Sequence, residues 1–160
     1  MTTSEVQIRH VANTLAASGA LRNLQRLKEI RWTDGLQVLL VEDDEADAYL
    51  IRRALATNPR VSDVVLATDG DDALELFDRR RVFPDLALVD LRMPRKDGLA
   101  FLKEIAARSA AQFPCFVLTS SKSAKDTGRA MRRGAVGFVT KPKSPTDLQL
   151  ALDRILADVA

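Results

Sequence analysis

The sequence is poor in cysteine, in aromatic residues and in long apolar runs. Its 160 residues include one cysteine, one tryptophan and one tyrosine. The lone Cys115 excludes an intrachain disulfide and argues against a metal site built on cysteine, so we interpret it as a small buried hydrophobe. No apolar run approaches the roughly 20 residues that a membrane span needs, and the first residues, MTTSEVQIRH, lack a secretory signal pattern. These absences predict a cytoplasmic protein that does not bind a membrane.

The chain also carries little net charge. Its 24 basic and 22 acidic side chains leave a charge of +2 at pH 7. Such a small excess does not indicate direct nucleic-acid binding. The hydrophobic fraction of 46% and the charged fraction of 29% are typical of a globular protein. The length fits one domain, residues 36–160, preceded by an extension, residues 1–35.

From residue 36 onward, short apolar runs alternate with segments of helical period. The runs LQVLLV, DVVLA, DLALVD, CFVLTS and VGFVT predict strands over 36–41, 63–67, 85–90, 115–120 and 136–140. The intervening segments predict helices over 45–57, 70–80, 99–109, 124–134 and 144–159. Strict alternation of this kind predicts an α/β fold, a doubly wound parallel sheet covered by helices on both faces. The simplest winding is the flavodoxin-like strand order 2-1-3-4-5.

Residues 1–35 have a different pattern. Two segments, EVQIRHVANTLAAS and ALRNLQRLKEIRW, have helical period and short apolar stripes. They predict an N-terminal helical extension whose apolar faces dock on the main domain or on a second copy of the chain. The single histidine, His10, lies in the first of these segments, and we interpret its role as structural.

Polar side chains collect where four of the predicted strands end. In a doubly wound sheet the carboxyl ends of the strands form one edge, and ligands bind there. The residues at these ends are Glu42, Asp43 and Asp44 after the first strand, Asp90 after the third, Thr119 after the fourth and Lys141 after the fifth. Crowded carboxylates need a cation to stay ionised, and an all-oxygen set favours Mg²⁺ over zinc. Lysine and threonine add donors for phosphoryl oxygens, so the site fits phosphoryl transfer onto Asp90.

The motifs VLLVEDD, VDLRMPRKDG, VLTSS and GFVTKP, in this order and spacing, resemble those of the receiver domains of bacterial response regulators. The resemblance covers residues 36–159. It implies that Asp90 is the phosphoacceptor, that Glu42 and Asp43 organise Mg²⁺, and that Arg92 adds its backbone carbonyl to the metal. The sequence resembles, more weakly, single-domain receivers that partner bacterial phytochromes.

The same resemblance assigns roles around the phosphoacceptor. Lys141 would pair with the phosphoryl group, Thr119 would hydrogen-bond to it, and Phe138 would turn inward when Thr119 moves. Arg92 and Ser121, each two positions after a key residue, would tune the lifetime of the phosphoryl group. The resemblance also implies a cis peptide bond between Lys141 and Pro142. Two further acids, Asp44 and Asp47, go beyond the usual acidic pair, and we interpret them as solvated residues at a helix start.

These residues predict a response regulator of two-component signalling rather than an enzyme acting on other substrates. Asp90 would take a phosphoryl group from the phosphohistidine of a sensor histidine kinase or a phosphotransfer protein. No output domain is expected, so the output would reach a downstream protein target or a second copy. A homodimer would form through the N-terminal helices or through the face of the fourth helix, fifth strand and fifth helix.

Two other functions fit parts of the same pattern. A receiver-like scaffold would use the fold for protein interaction without phosphorylation. A phosphohydrolase of the haloacid dehalogenase type also places an aspartate after an apolar strand. That chemistry requires a second acid two positions later, where this chain has Arg92.

Overall fold

Five strands alternate with five helices in the part of the chain that the structure describes. The computed structural model describes residues 35–108 and 110–159. The strands are β1 (Leu36–Val41), β2 (Val61–Ala67), β3 (Leu86–Val89), β4 (Cys115–Thr119) and β5 (Gly137–Thr140). The helices are α1 (Glu45–Ala56), α2 (Gly70–Asp78), α3 (Gly98–Ala106), α4 (Ala124–Arg132) and α5 (Pro145–Asp158). Every bound lies within about three residues of the one predicted from the hydrophobic pattern. The predicted N-terminal helices and His10 lie outside the described residues.

All strand pairs are parallel, and the sheet order is β2-β1-β3-β4-β5. This confirms the predicted flavodoxin-like winding. The register aligns Val41 with Val89 at the ends of β1 and β3. It also aligns Thr119 with Thr140 at the ends of β4 and β5. The strand order reverses between β1 and β3, so a crevice opens beyond their carboxyl ends.

Each face of the sheet carries its own apolar cluster, because successive side chains of a strand point to opposite faces. Leu39 and Val41 of β1 belong to one cluster, with Phe101 of α3. Val38 and Leu40 belong to the other, which includes the α1 and α5 side chains Ile51, Leu55, Leu152 and Ile155. Strand β3 is buried along its whole length. Two covered faces explain why these strands are continuous apolar runs.

Cys115 lies in the first of these clusters and is buried. Burial raises the pKa of its thiol to about 12, because a thiolate there would lose its hydration. The thiol is therefore protonated at neutral pH. This agrees with its interpretation as a small hydrophobe.

Each of these five helices begins at a polar N-cap residue in the loop that follows a strand. In each case the side chain accepts a hydrogen bond from the amide three residues later, which satisfies one of the free N–H groups of the first turn. The capping residues are Asp44, Asp69, Asp97, Ser123 and Ser144. The caps of α1, α2, α4 and α5 follow their strands by two to four residues, so these helices begin beside the carboxyl edge of the sheet.

One prediction at this edge is wrong. The described segments contain no cis peptide bond, so Lys141 and Pro142 are joined in the trans form. The trans form is favoured by about 0.5–1 kcal/mol even before proline. The Lys141 amide still donates to the Thr119 carbonyl at 2.7 Å, so it remains paired to β4.

Within the same segments, no helix has the length and apolar character needed to cross a membrane.

Candidate functional site

Three carboxylates meet at the carboxyl edge of the sheet. Oxygen atoms of Glu42, Asp43 and Asp90 all lie within 4.8 Å of one another. The strands fix this arrangement, since the Asp90 amide donates to the Val41 carbonyl at 3.0 Å. Glu42 is 1% exposed and Asp90 8% exposed, whereas Asp43 is exposed. The site therefore combines two buried acids with one that faces solvent.

Lys141 reaches into this cluster from the end of β5. Its Nζ lies 2.6 Å from Oε2 of Glu42 and 3.1 Å from Oδ2 of Asp90. A third carboxylate, Asp47, contacts the same Nζ through Oδ2 at 2.7 Å. Burial alone would lower the pKa of Lys141, but these hydrogen bonds and the charges of Asp90 and Glu42 raise it. The ammonium group is therefore charged at neutral pH.

Glu42 has the opposite balance. Burial raises its pKa to about 7, and the Asp90 charge acts in the same direction. The hydrogen bond and the charge of Lys141 oppose that shift, as does the Asp44 amide, which donates to Oε1 at 3.1 Å. The carboxylate is costly to ionise because it is removed from water beside a second acid. Positive charge in this site favours the ionised form.

Asp47 is the residue that the sequence interpretation missed. Asp44 caps α1 as expected, whereas Asp47 pairs with Lys141 and its side chain is only 38% exposed. The signal was present in the spacing. Asp47, Ile51 and Leu55 follow at intervals of four, so all three lie on one stripe of α1, and the latter two are buried. Asp47 is the first residue of this stripe and lies beside the strand ends, so its side chain points at the site rather than at solvent.

Thr119 ends β4 and is fully buried. Its Oγ1 accepts a hydrogen bond from the Ser121 amide at 3.4 Å. On the neighbouring loop, the Arg92 amide donates to Oδ1 of Asp90 at 3.4 Å. The Arg92 amide therefore faces the Asp90 carboxylate, and the Ser121 amide faces the Thr119 hydroxyl.

Phe138 lies on β5, three residues before Lys141. The ring is partly buried and packs against the cluster that contains Val117 and Phe101. The structure thus places it on the sheet face covered by α2, α3 and α4. Its predicted inward turn remains a prediction.

The loop between β3 and α3 is held at two points. Gly98 packs against the backbone of Asp90 so closely that a Cβ would collide with the Asp90 carbonyl, which requires glycine there. Its amide donates to the Leu91 carbonyl at 3.0 Å. At the second point the Arg95 guanidinium pairs with the buried Asp69 that caps α2. These contacts position the segment that carries Arg92.

The pair between Asp69 and Arg95 gives a pH prediction. Burial would raise the pKa of Asp69, but the Asp72 amide and the Arg95 guanidinium lower it below the usual value. The pair therefore stabilises the fold above the unfolded-state pKa of about 3.9 and loses this effect as pH falls through the lower folded pKa. We expect Asp69→Asn to lose stability near neutral pH and to show a flatter decline below about pH 4. Urea unfolding measured across acid pH tests this, and parallel profiles of variant and wild type would contradict it.

The donor set fits a hard divalent cation. The carboxylates of Glu42, Asp47 and Asp90 contact one ammonium group, and Asp43 lies beside two of them, so negative charge is in excess when all are ionised. Oxygen-only donors on an exposed rim leave room for water ligands, which Mg²⁺ retains in most protein sites. The three carboxylates of Glu42, Asp43 and Asp90 could hold such an ion.

Comparison with known proteins agrees with this geometry. The family model described as response regulator receiver domain matches residues 38–153. A probable transcriptional regulator, ycf27, of Porphyridium aerugineum is 35% identical over 123 residues, which cover 76% of this chain and 48% of that protein. The transcriptional regulatory protein ZraR of Escherichia coli O157:H7 is 36% identical over 78% of this chain and 27% of its own length. The chain thus spans about half or less of the length of these relatives.

Solved structures give the same result. The phosphorylated cyanobacterial phytochrome response regulator RcpA superposes with a TM-score of 0.71 at 30% identity, over 76% of this chain and 91% of that one. The Mn²⁺-bound form of response regulator Rcp1 superposes with a TM-score of 0.69 at 28% identity, over 75% and 91% of the two chains. Both similarities cover about three quarters of this chain.

Proposed function

Because the chain belongs to the response regulator receiver domain family of two-component signalling, we propose that Asp90 accepts a phosphoryl group from a phosphohistidine in a Mg²⁺-dependent reaction. The donor is a sensor histidine kinase or a phosphotransfer protein. The observation that carries the proposal is the meeting of Asp90 with Glu42, Asp43 and Lys141 at one edge of the sheet. Each of these side chains has a part in moving a phosphoryl group onto a carboxylate.

Asp90 is the nucleophile in this reaction. One carboxylate oxygen bonds to phosphorus while the bond between phosphorus and the imidazole nitrogen breaks, and the released nitrogen keeps the electron pair and takes a proton from water. Lys141 contacts Oδ2 at 3.1 Å, whereas Oδ1 faces only a long contact from the Arg92 amide at 3.4 Å. Oδ1 is therefore the less constrained oxygen and the better candidate for the attack.

The acidic pair, through Mg²⁺, and Lys141 would compensate the negative charge of the phosphoryl group at Asp90. Glu42, Asp43 and Asp90, with the backbone carbonyl of Arg92, would hold Mg²⁺, which when bound offsets the charge of the transferring phosphoryl oxygens. Lys141 is already charged and contacts the acceptor Asp90, and Glu42 and Asp47 hold it there, so it lies close to where the phosphoryl group would be bound. Asp47 is the most exposed of its three partners, at 38%, and is the one that loses least on release.

The product alters the surface that partners read. Thr119 turns its hydroxyl toward the phosphoryl group, and Phe138 follows into the vacated space. The affected surface is the face of α4, β5 and α5, which meets either a downstream protein or a second copy of the chain. Its α4 side is basic and exposed at Lys122, Lys125, Arg129 and Arg132, which favours a partner with an acidic surface.

The test is direct phosphorylation of the protein. We expect incubation with acetyl phosphate and Mg²⁺ to add the mass of one phosphoryl group, and removal of Mg²⁺ with EDTA to prevent it. Beryllofluoride with Mg²⁺ should change the hydrogen-exchange rates of α4 and β5. A chain that takes up no phosphate under these conditions, and does not respond to beryllofluoride, would be a scaffold that phosphorylation does not regulate.

A further inference from the structure

A hydrogen-bonded bridge joins the two loops that flank Asp90. We define the bridge as Arg92, Ser121 and Asp126. Ser121 Oγ donates to Oδ2 of Asp126 at 2.6 Å, and an Arg92 Nη2 lies 3.6 Å from the same oxygen. Arg92 follows β3, Ser121 follows β4 and Asp126 lies in the first turn of α4. One carboxylate oxygen therefore ties three separate segments together.

The two contacts of the bridge, from Ser121 and from Arg92 to Asp126, differ in burial and therefore in strength. Ser121 is 8% exposed and the Asp126 side chain 17% exposed, so their hydrogen bond is shielded from water. The Arg92 side chain is 76% exposed, and its ion pair at 3.6 Å is screened. A buried hydroxyl that loses its acceptor is costly, whereas a surface ion pair contributes little to stability. The Asp126 carboxylate anchors the bridge through Ser121 and holds Arg92 in place.

The bridge lies beside the position that a phosphoryl group on Asp90 would occupy. The Arg92 amide faces Oδ1 of Asp90, and the Ser121 amide faces the Thr119 hydroxyl. Strands β3 and β4 are neighbours, so a group attached to Asp90 projects between the two loops that the bridge connects. The bridge links these loops through the Asp126 carboxylate.

We propose that Asp126 is a positioning residue that lengthens the lifetime of the aspartyl phosphate by holding Ser121 and Arg92 across this opening. In hydrolysis a water oxygen bonds to phosphorus opposite the Asp90 oxygen, the bond from phosphorus to that oxygen breaks, Asp90 regains its carboxylate and the water proton goes to solvent. The attacking water approaches from the side away from Asp90, and its path depends on how the two loops joined by the bridge are held. This inference rests on the proposed phosphorylation of Asp90.

The test compares the dephosphorylation rates of wild type, three bridge variants and one control, each loaded with acetyl phosphate and Mg²⁺ and then freed of donor. We expect Asp126→Ala to hydrolyse roughly five- to tenfold faster than wild type, as loss of one buried hydrogen bond implies. Arg92→Ala should give a smaller increase. The double variant Arg92→Ala/Asp126→Ala should match Asp126→Ala alone, because Arg92 acts only through that carboxylate. Asp78→Ala is the matched control, since it breaks a distant ion pair with Arg108.

A fold defect is separated from loss of the bridge by a second variant. Asp126→Asn keeps an oxygen acceptor for Ser121 but removes the charge that holds Arg92, so it should hydrolyse at the rate of Arg92→Ala while unfolding like wild type. Equal lifetimes for wild type and Asp126→Ala would overturn the inference and leave the proposed function intact. Rates that add in the double variant would also overturn it. Failure of the wild type itself to take up phosphate would overturn both.

Discussion

Replacing Asp90 with asparagine is expected to reduce phosphate uptake to background. The amide lacks the anionic oxygen that would bond to phosphorus, and one of three carboxylates that could hold Mg²⁺ disappears with it. Glu42 is a poor substitute, because it contacts Lys141 at 2.6 Å and is buried. Intact-protein mass spectrometry after incubation with acetyl phosphate and Mg²⁺ measures the effect.

This variant should keep its fold, which makes the loss interpretable. Asp90 adds a negative charge beside Glu42, and that charge contributes to the raised pKa of Glu42. Its removal relieves repulsion, while Lys141 retains two carboxylate partners. We therefore expect the metal-free Asp90→Asn protein to melt at or above the wild-type temperature. Asp63→Asn, the same change at an exposed position of β2, should take up phosphate normally.

An Asp90→Asn protein that is still phosphorylated on one residue would place the acceptor elsewhere. Peptide mapping would then identify that residue, and Asp43 would be the first candidate because it is the exposed member of the acidic cluster. Uptake by neither protein would instead favour the scaffold function.

The sequence predicts the positions of the strand ends well because they depend on local patterns. The apolar run LALV is buried on both faces of the sheet, so the strand is expected to end before the charged Asp90. Given the alternation, the winding of a parallel sheet brings Glu42, Asp90 and Lys141 to one edge. This is why the sequence alone assigns Glu42 and Lys141, which are 99 positions apart, to one site.

Side-chain contacts at that edge are harder to predict from the sequence. Hydrophobic periodicity places Asp47 on the buried stripe of α1, but the partner Lys141 follows only from how α1 packs against β2 and α5. The bond between Asp126 and Ser121 depends on how the loop after β4 folds back on α4, which no short motif encodes. The bond before Pro142 has the trans form that is intrinsically favoured, whereas the cis prediction came from the family resemblance.

The second large effect is expected from Lys141→Met in the absence of divalent ions. Lys141 is 10% exposed and contacts Glu42 and Asp90, whose side chains are 1% and 9% exposed. Removing one partner from a buried ion pair leaves the other charge uncompensated, which costs about 3 kcal/mol. Asp47 adds little to this loss because it can turn to solvent. Urea unfolding of the metal-free protein measures the change.

Two comparisons distinguish lost charge compensation from lost packing. The double variant Glu42→Gln/Lys141→Met removes both members of the closest pair, so it should be more stable than Lys141→Met alone even though it carries one more substitution. Millimolar Mg²⁺ should restore part of the stability of Lys141→Met and less of that of the double variant, because a cation stabilises the folded state in proportion to the carboxylates it binds there. If the double variant were the less stable of the two, packing of the lysine stem rather than its charge would account for the loss.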